Sequence, residues 1–442
     1  MKVLVVGSGG REHALAWALS RSSIVDGLVL APGNPGMSVL GACIDVSLGD
    51  PQALADAAER VGAGLVVVGP EAPLVGGLGD ELRRRGLRVL GPGRSGARLE
   101  GSKWWAKELM VRAGIPTARG AVFERTDEAM AFARRMGAPL VVKADGLAAG
   151  KGVRVCGDLV ATEEAIVDTL ERRVFGDAGR QVVVEECLTG EELSVLALCD
   201  GTTVLPLEPA QDYKRAHDGD RGPNTGGMGS YSPVPSCPPA LLDRVIDEVL
   251  EPVAGALADE AEPYVGVIYA GLMLTPDGPK VLEFNCRFGD PETQALVPRL
   301  DSDLGEAFAA CVEGSLDSVE LRWRPQACVA VVGASEGYPA AVEGGKAIRG
   351  VEEAEARTGV PVFHAGTARG SDGSVVTAGG RVLAVAGLGD DFAEARRRAY
   401  DGIAAVSFDG MWYRRDIGAR AEGHRPVVGA FAHQIEGEES QE

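Results

Sequence analysis

The sequence predicts a multidomain α/β protein whose first domain is built on a doubly wound parallel sheet. The chain has 442 residues, which exceeds one ordinary domain and suggests about three. Over residues 1–102, apolar strands alternate with amphipathic helices, a pattern typical of a parallel sheet covered on both faces. The pattern changes to paired strands over 103–325 and to a small α+β domain over 326–422.

The first region alternates strand and helix regularly. Its predicted strands are KVLVVG (2–7), GLVLAPG (27–33), GLVVVGPE (64–71) and GLRVLGP (86–92), and its predicted helices include REHALAWALS and PQALADAAERVG. Short apolar runs that end in glycine or proline are typical of buried parallel strands.

The second and third regions read differently. Predicted helices are KWWAKELMVRAG, residues 240–258 and DDFAEARRRAYDGIAAV, and predicted strands are two in APLVVKADGLAAGKGVRVC, QVVVEECL, LSVLALCDGTTVLPL, a pair around 265–284, CVAVVGAS and RVLAVAGLG. QDYKRAHDGDRGPNTGGMG (211–229) has no periodicity, so we expect a long loop that serves as a lid or binding loop, with disorder as the alternative. The tail, 423–442, is expected to be disordered.

Composition excludes several classes of function. A net charge of −20 argues against general binding to nucleic acid or to anionic membranes. The eight cysteines form no CxxC pair, so we interpret them as small buried apolar residues in a reducing compartment. The N-terminal apolar run ends at Gly7, and no run approaches membrane-spanning length, so we expect a cytoplasmic protein.

The segment VLEFNCRFGDPETQ (281–294) is the most informative in the chain. Side chains two apart in a strand share a face, so Glu283, Asn285 and Arg287 are predicted to point together. A carboxylate and an amide oxygen suit Mg²⁺ carried on phosphates, and the arginine suits developing negative charge. Asp290 adds a carboxylate at the strand end. The alternative is an edge strand with a solvated polar tip.

The loop GSGGREHAL (7–15) lies between a predicted strand and helix, where backbone N–H groups can bind an anion. Glu12 replaces the third glycine of a dinucleotide fingerprint, and Ala31-Pro32 offers no ribose-binding acid. We therefore favour phosphate binding over NAD binding, with a purely structural turn as the alternative. A dehydrogenase is correspondingly disfavoured.

The loop KADGLAAGKGV (143–153) predicts a mobile hairpin that folds over a triphosphate, with Lys143 and Lys151 as charges. No GK[ST] opens a helix here, so it is not a Walker A loop. A flexible hairpin with exposed lysines is the alternative. Downstream, Glu185 and Leu188 can present backbone groups to adenine and Glu192 can accept ribose hydroxyls, although isolated glutamates are more often surface charges.

Two further groups of residues have open interpretations. Glu71, at the predicted end of a parallel strand, is a candidate ribose ligand, and a helix-cap contact is the alternative. His13, His217 and His364 show no metal-like spacing and are taken as non-ligands.

Taken together, these motifs resemble the glycinamide ribonucleotide synthetases (phosphoribosylamine–glycine ligases) of the ATP-grasp superfamily. The segments that carry the resemblance, in order, are VGSGGREHALAW, VGPEAPL, LEGSK, VVKADGLAAGKGV, VEECLTGEE, GPNTGGMGSYSP, EFNCRFGDPETQ and FHAGT. The resemblance covers residues 1 to about 420 and implies an N-terminal α/β domain, an ATP-grasp core with a mobile lid subdomain at about 118–190, and a small C-terminal domain.

The resemblance implies ATP-dependent ligation of glycine to 5-phospho-β-D-ribosylamine through glycyl phosphate, in purine biosynthesis, with Mg²⁺ or Mn²⁺. The implied ATP-binding residues are Lys103, Lys143, Gly146, Gly150, Lys151, Gly152, Glu185, Glu186, Leu188 and Glu192. The implied metal ligands are Glu283 and Asn285; the implied catalytic residues are Arg287 and Asp290; the implied substrate-binding residues are Gly9, Gly10, Glu71, Asp212, Lys214 and Asp290. A monomer is expected, with transient contact to the preceding amidotransferase.

Two departures from the family pattern stand out. AGLML (270–274) lacks the acidic metal ligand that many ATP-grasp enzymes have on this strand. Trp104-Trp105 and Tyr213 also differ from the usual residues, without touching a charged role. The alternatives are another ATP-grasp carboxylate–amine ligase or carboxylase, and a catalytically silent nucleotide-binding regulator; intact Lys143, Glu283, Asn285 and Arg287 favour an enzyme.

Overall fold

The N-terminal part of the computed structural model, which describes residues 1–147, 152–260, 263–424 and 426, is built on a parallel sheet. Its strands are β1 (Lys2–Gly7), β2 (Gly27–Pro32), β3 (Ala42–Cys43), β4 (Leu65–Val68) and β5 (Val89–Leu90), in the order β3–β2–β1–β4–β5. Its helices are α1 (Gly10–Leu19), α2 (Pro51–Val61), α3 (Glu71–Val75), α4 (Leu78–Arg84) and α5 (Arg94–Gly101). Alternate β1 residues pack into different apolar clusters, one with α1 and one with α2 and α4, so both faces are covered.

One strand boundary differs from the sequence prediction. The strand predicted over 64–71 ends at Val68, and Glu71 begins helix α3 instead of ending a strand. Pro70 explains the difference, because it lacks the N–H that would extend a sheet ladder and is tolerated before a helix.

Local sequence signals set several helix ends. The Asp50 side chain accepts hydrogen bonds from the first turn of α2, and Gly62 ends that helix at φ +65°. Ser102 caps the next helix, α6 (Lys103–Arg112), by accepting from the Trp105 N–H. Residues 102–105 therefore position the α6 N-terminus, which carries Lys103.

A second unit follows α6. It contains β6 (Gly120–Phe123), α7 (Thr126–Met136), β7 (Leu140–Ala144), β8 (Val153–Cys156), α8 (Leu159–Leu170) and β9 (Val182–Glu186). The strands form an antiparallel sheet in the order β6–β9–β7–β8. The helices pack on it around an apolar cluster of their own that includes Ala129, Leu140, Ile166 and Val184.

The central sheet positions the strand end predicted to be functional. It consists of β10 (Glu191–Asp200), β11 (Val204–Pro206), β16 (Val265–Thr275) and β17 (Gly278–Asn285), antiparallel in the order β11–β10–β16–β17. The helix predicted over 240–258 comprises α9 (Pro239–Val245), a π-helical segment (Ile246–Leu250) and α10 (Glu251–Ala258). Pro252 has no N–H for the α-helical ladder, which accounts for an irregularity at this point. After β17 come α11 (Glu292–Leu296) and α12 (Leu304–Glu313).

The prediction of a loop without regular structure over 211–229 is wrong. This segment contains β12 (Gln211–Asp212), β13 (Arg215–His217), β14 (Arg221–Asn224) and the first residue of β15 (Gly229–Ser232). These strands are too short to show a periodicity. Fully buried Arg414 stabilises the β13–β14 hairpin instead, donating to the Arg215 carbonyl and to Asp220.

The C-terminal part is a small α+β unit, as predicted. It contains β18 (Ala327–Ala334), α13 (Val351–Thr358), β19 (Val362–His364), β20 (Thr367–Arg369), β21 (Val375–Thr377), β22 (Arg381–Gly389) and α14 (Phe392–Ile403). Its sheet, in the order β12–β15–β18–β22–β19, takes two strands from the preceding region. The C-terminal sheet thereby holds the segment that contains Asp212 and Lys214.

Other expectations have mixed outcomes. All eight cysteines are free; five are buried, Cys187 and Cys237 are half-buried, and Cys43 is exposed, so the expectation of burial is wrong for Cys43. No helix within the described residues is long and apolar enough to span a membrane. The expectation of a disordered tail falls almost wholly on residues outside the described ranges.

Candidate active site

The end of β17 carries a connected set of charged and amide groups. Arg287 Nη2 donates to Glu100 Oε1 (2.8 Å) and to Asn285 Oδ1 (3.2 Å), and Nη1 donates to the Phe288 carbonyl (3.1 Å). Its Nε lies 3.4 Å from Glu71 Oε2. Burial alone lowers the pKa of Arg287, but Glu100 and Glu71 outweigh it and raise that pKa, so the guanidinium stays charged.

Glu283 faces lysines from several elements. In the β16–β17 pairing, Val281 opposes Leu272 and Glu283 opposes Gly271, so Leu282 is an extra residue, a β-bulge. The ammonium of Lys214 lies 3.8 Å from Glu283 Oε1. Burial by itself raises the pKa of Glu283, but Lys214, Lys103, Lys143 and Arg287 outweigh it and lower that pKa. The carboxylate is therefore ionised and available to a cation.

The predicted ATP-binding residue Lys143 lies beside this edge. Lys143 donates to the Leu282 carbonyl at 2.9 Å and forms an ion pair with Glu185. Glu185 also pairs with Lys107 at 3.1 Å, and burial lowers the pKa of Lys107. The Glu185 side chain thus organises two buried lysines, a role that the sequence analysis did not assign to it.

The glycine-rich loop is anchored at its start. Asp145 accepts hydrogen bonds from Ser102 Oγ and from the Trp104 N–H, both at 3.1 Å. Lys103 Nζ donates to the Gly146 carbonyl at 3.2 Å, and the Gly152 carbonyl accepts from the Ala144 N–H. Gly146 has φ +128°, which favours glycine. The predicted ATP-binding residues Gly150 and Lys151 lie outside the described residues.

The predicted nucleoside-binding residues fall into two settings. Glu186 pairs with Arg119 at 2.9 Å, beside half-buried Leu188 on the segment after β9. Glu192 lies on β10, and its Oε2 is 3.0 Å from Lys214 Nζ. Lys214 therefore links the predicted ribose ligand to the predicted metal ligand Glu283.

Asp212 and Lys214 lie two residues apart, on and just after β12. Burial raises the pKa of Asp212 to about 8. The neighbouring Glu292, Glu192 and Glu283 contribute to this rise, and Lys214 opposes it. Glu192, Asp212 and Glu283 keep the pKa of Lys214 well above its ordinary value. Lys214 therefore lies close to the carboxylates of both Glu192 and Glu283.

The N-terminal glycine loop is only partly free to bind an anion. The Gly9 N–H donates to Glu12 Oε2 at 2.6 Å, so a phosphate at this position would have to replace that carboxylate. Gly10 packs so closely that an added Cβ would lie 2.6 Å from Gln294 Nε2. Gln294 in turn donates to Asp290 Oδ1 at 2.9 Å. The structure therefore brings the glycine loop and Asp290 together.

Asp290 and Glu71 are both stabilised as carboxylates. Burial raises their pKa values, but Arg381 and Arg11 outweigh it at Asp290, and Arg287 and Arg11 outweigh it at Glu71, so both pKa values are lowered. Arg381 Nη1 lies 3.3 Å from Asp290 Oδ1 and donates to the Asp290 carbonyl at 2.7 Å. A residue of the C-terminal sheet thus contributes to this side of the site.

The family models for phosphoribosylglycinamide synthetase match the chain in three consecutive parts: the N domain at residues 1–100, the ATP-grasp (A) domain at 101–293 and the C domain at 328–420. The chain belongs to the phosphoribosylglycinamide synthetase family.

Relatives in this family match nearly the whole chain. A phosphoribosylamine–glycine ligase of Nostoc sp. is 52% identical over 424 residues, covering 95% of this chain and 99% of the relative. One of Brucella melitensis is 50% identical over 421 residues, covering 95% and 98%. The resemblance inferred from the motifs, and the predicted glycine-ligase activity and purine-biosynthetic reaction, are thereby confirmed.

Solved structures support the fold. The phosphoribosylamine–glycine ligase of Thermotoga maritima has a TM-score of 0.80 at 36% identity, covering 94% of this chain and all of that one. The biotin carboxylase domain of a Hydrogenobacter thermophilus 2-oxoglutarate carboxylase, described as a complex with MgADP, has a TM-score of 0.69 at 18% identity. That similarity, over 93% of this chain and 91% of the other, concerns the fold alone. The predicted ATP-grasp fold is confirmed.

The synthetase site has the donors that a divalent cation prefers. Glu283 and Asn285 offer hard oxygens, and the hydrogen bond from Arg287 fixes which end of the Asn285 amide carries the oxygen. Within the described ranges, no group of three His, Cys, Asp or Glu side chains could hold a metal. The residue opposite Glu283 is Gly271, so this strand adds no acidic ligand.

Several residues of the synthetase site escaped the sequence analysis. Glu100 contacts Arg287, Lys107 contacts Glu185, and Arg381 contacts Asp290. Glu100 lies in the LEGSK motif, which was a usable signal, whereas nothing local marks Arg381, more than 90 residues downstream of Asp290. The expectation for His13 and His364 as non-ligands remains a prediction; the Nδ1 of His13 accepts from the His364 N–H at 2.8 Å.

Proposed function

We propose that this chain joins glycine to 5-phospho-β-D-ribosylamine with ATP, giving glycinamide ribonucleotide, ADP and phosphate through glycyl phosphate. The observation that carries the proposal is the ordered edge of Glu283, Asn285 and Arg287 at the end of β17, facing Lys143 and Lys214. Family membership supports the choice of substrates.

The chemistry needs positioning rather than an enzyme nucleophile. A carboxylate oxygen of glycine attacks the γ-phosphorus of ATP, the bond to the β-phosphate oxygen breaks, and ADP leaves. The amine of the ribosylamine then attacks the carbonyl carbon of glycyl phosphate, the bond to the phosphate oxygen breaks, and the amine loses a proton. Arg287 is assigned to neutralise the negative charge that develops in both steps.

ATP is proposed to bind beside β9 and the glycine-rich loop. Lys103, Lys143 and the loop residues Gly146, Gly150, Lys151 and Gly152 are proposed to contact the phosphates. Glu185, Glu186, Leu188 and Glu192 are proposed to hold the nucleoside. Lys143 and Glu192 already lie within reach of the Glu283 edge through the Leu282 carbonyl and Lys214.

Glu283 and Asn285 are proposed to hold Mg²⁺ or Mn²⁺. The cation would neutralise the transferring phosphates of ATP. The lowered pKa of Glu283 and the defined orientation of the Asn285 amide fit this assignment.

The phosphoribosyl group is assigned to Gly9, Gly10 and Glu71, and the amine to the neighbourhood of Asp290. Asp212 and Lys214 are proposed to contact glycine. Arg287 interacts with Glu71 of the first group and lowers the pKa of Glu283, which lies 3.8 Å from Lys214 of the second.

Further proposals concern the whole chain. We place the domain limits at 1–102, 103–325 and 326–422, with a lid subdomain at about 118–190 that closes over ATP. We also propose a cytoplasmic monomer that contacts the preceding amidotransferase transiently.

The test is ADP release measured with ATP, Mg²⁺, glycine and freshly generated phosphoribosylamine, with each component omitted in turn. The proposal expects turnover to require both glycine and the ribosylamine. Turnover without glycine, or with bicarbonate in its place, would contradict it and favour a carboxylase.

A further inference from the structure

Glu100 is a buried carboxylate in the last turn of α5, and its two oxygens have different partners. Oε1 accepts from Arg287 Nη2 at 2.8 Å. Oε2 accepts from the Cys286 N–H at 3.0 Å and lies 3.4 Å from Cys286 Sγ. Glu100 thus contacts two consecutive residues that follow β17, through the backbone N–H of Cys286 and the guanidinium of Arg287.

The guanidinium of Arg287 has little freedom once these contacts are made. An arginine has five N–H donors. Both Nη2 hydrogens are used by Glu100 and Asn285, and one Nη1 hydrogen is used by the Phe288 carbonyl. The other Nη1 hydrogen and the Nε side that faces Glu71 are left for a substrate. Arg287 is therefore presented in a single orientation.

The same short segment also reaches the ATP loop. Two residues after Glu100, Ser102 donates to Asp145, and Lys103 donates to the Gly146 carbonyl. Any shift of the α5–α6 junction would move both Arg287 and the start of the glycine-rich loop. Glu100 thus lies within three residues of the side chains that contact the start of the glycine-rich loop.

We propose that Glu100 is a positioning residue for the ligase reaction, which fixes the Arg287 guanidinium and, through it, the Asn285 oxygen. This proposal rests on the proposed function. Glu100 itself touches no reacting atom; it acts by holding Arg287 where charge develops.

The first variant is Glu100→Gln, which keeps the shape of the side chain. An amide has one acceptor oxygen, so it can serve either Arg287 or the Cys286 N–H, but not both. We expect kcat to fall about 10- to 100-fold, the scale of loss for a misplaced catalytic group, with the KM for ATP within about twofold. Glu100→Asp keeps both acceptors and the charge, and we expect a smaller fall.

A double-mutant cycle separates positioning from a general structural role. If Glu100 acts through Arg287, Glu100→Gln in an Arg287→Met background should lower kcat less than about twofold. In free energy of unfolding, Glu100→Gln should destabilise the wild-type chain but be neutral or stabilising where Arg287 is absent, since the carboxylate is then buried without its partner.

The matched control is Glu81→Gln. Glu81 on α4 is equally buried (9% exposed) and pairs with Arg84 and with Arg85, the residue that follows α4. We expect no coupling between this change and Arg287→Met. If Glu100→Gln lowers kcat by the same factor in the Arg287→Met background as in the wild-type chain, the proposal is overturned. If Glu100→Gln does not fold, Glu100→Asp is used in the same cycle.

The outcomes for Glu100 and for the proposed function are distinguishable. Dependence on glycine is measured on the wild-type chain, and its failure would overturn the proposed function. The coupling between Glu100 and Arg287 is measured with whichever carboxylate substrate drives ADP release, and also in unfolding. It is therefore confirmed or refuted on its own.

Discussion

The ammonium of Lys214 lies 3.8 Å from the carboxylate of Glu283. The same ammonium is 3.0 Å from Glu192, so one cation neutralises both the proposed ribose ligand and the proposed metal ligand. The ammonium of Lys214 thus stabilises the same Glu283 carboxylate that a bound divalent cation would stabilise. We therefore expect Lys214 to compete with the proposed metal ion for Glu283.

Replacing Lys214 with Gln should therefore strengthen metal binding to the ATP-free protein. Because the Glu283 side chain is 38% exposed, solvent screening limits the effect, and we expect Mn²⁺ to bind about three- to tenfold more tightly. The measurement is a Mn²⁺ titration by electron paramagnetic resonance. The control is Lys280→Gln, which removes a surface pair with Asp277; equal or weaker Mn²⁺ binding by Lys214→Gln would contradict the competition.

Glu283→Gln should raise the metal requirement of the reaction. Removing the charge leaves one neutral oxygen donor at this position, so the Mg²⁺ concentration for half-maximal ADP release should rise about tenfold or more. Glu248→Gln, which breaks a surface pair with Arg244, is the control. An unaltered Mg²⁺ titration would argue against Glu283 as a ligand.

Arg287→Ala should lower kcat more than it weakens ATP binding. The guanidinium is assigned to charge that develops during the reaction, so we expect kcat to fall about 100- to 1000-fold. The dissociation constant for ATP, measured by calorimetry, should change less than about threefold. A normal kcat in this variant would refute the assigned role.

The reaction should depend on the ionisation of Asp212. Its pKa is raised to about 8, so in the ligand-free protein the carboxylate forms as the pH rises through that value. If Asp212 contacts the ammonium of glycine, kcat/KM for glycine should increase with pH up to about 8. Asp212→Asn should remove this rise, and a profile that is the same in wild type and variant would exclude Asp212 as its origin.

Because of the buried histidines, the free energy of unfolding should decrease in mild acid. Burial lowers the pKa of His13 to about 3 and that of His364 to about 4. The unfolded chain binds these protons first, so stability is lost as the pH falls below about 6.5, at up to about 1.4 kcal/mol per pH unit for each histidine. Chemical denaturation of His13→Gln between pH 7 and pH 5 should show a shallower loss than wild type; an equal slope would contradict the assignment.

Much of the fold could be predicted from the local sequence pattern. The parallel strands and the long helices follow from apolar runs and caps that lie within a few residues of one another. The strand predicted over 64–71 is too long, because the prediction continued past Pro70 whereas the strand ends at Val68. The β13–β14 hairpin was missed because buried Arg414, about 190 residues away in sequence, stabilises it.

The site residues also divide into those that local spacing predicts and those that depend on packing. Glu283, Asn285 and Arg287 were found because their spacing in one strand places them together. The partners of these residues, Glu100 and Lys214, come from other elements, and their contacts depend on how the sheets pack. Gly9 and Glu12 have the N-cap and N3 spacing of a capping box, a sequence signal that could have indicated that the Gly9 N–H is already bonded to this carboxylate.

The proposed acyl phosphate can be tested by following the carboxylate oxygens of glycine. Glycine labelled with ¹⁸O in its carboxylate is incubated with ATP, Mg²⁺ and phosphoribosylamine in unlabelled water, and the phosphate is analysed by mass spectrometry. Attack of the carboxylate on ATP and displacement by the amine predict one glycine-derived oxygen in each phosphate, with the other in the amide product. Phosphate free of ¹⁸O would contradict a glycyl phosphate held at the Arg287 edge.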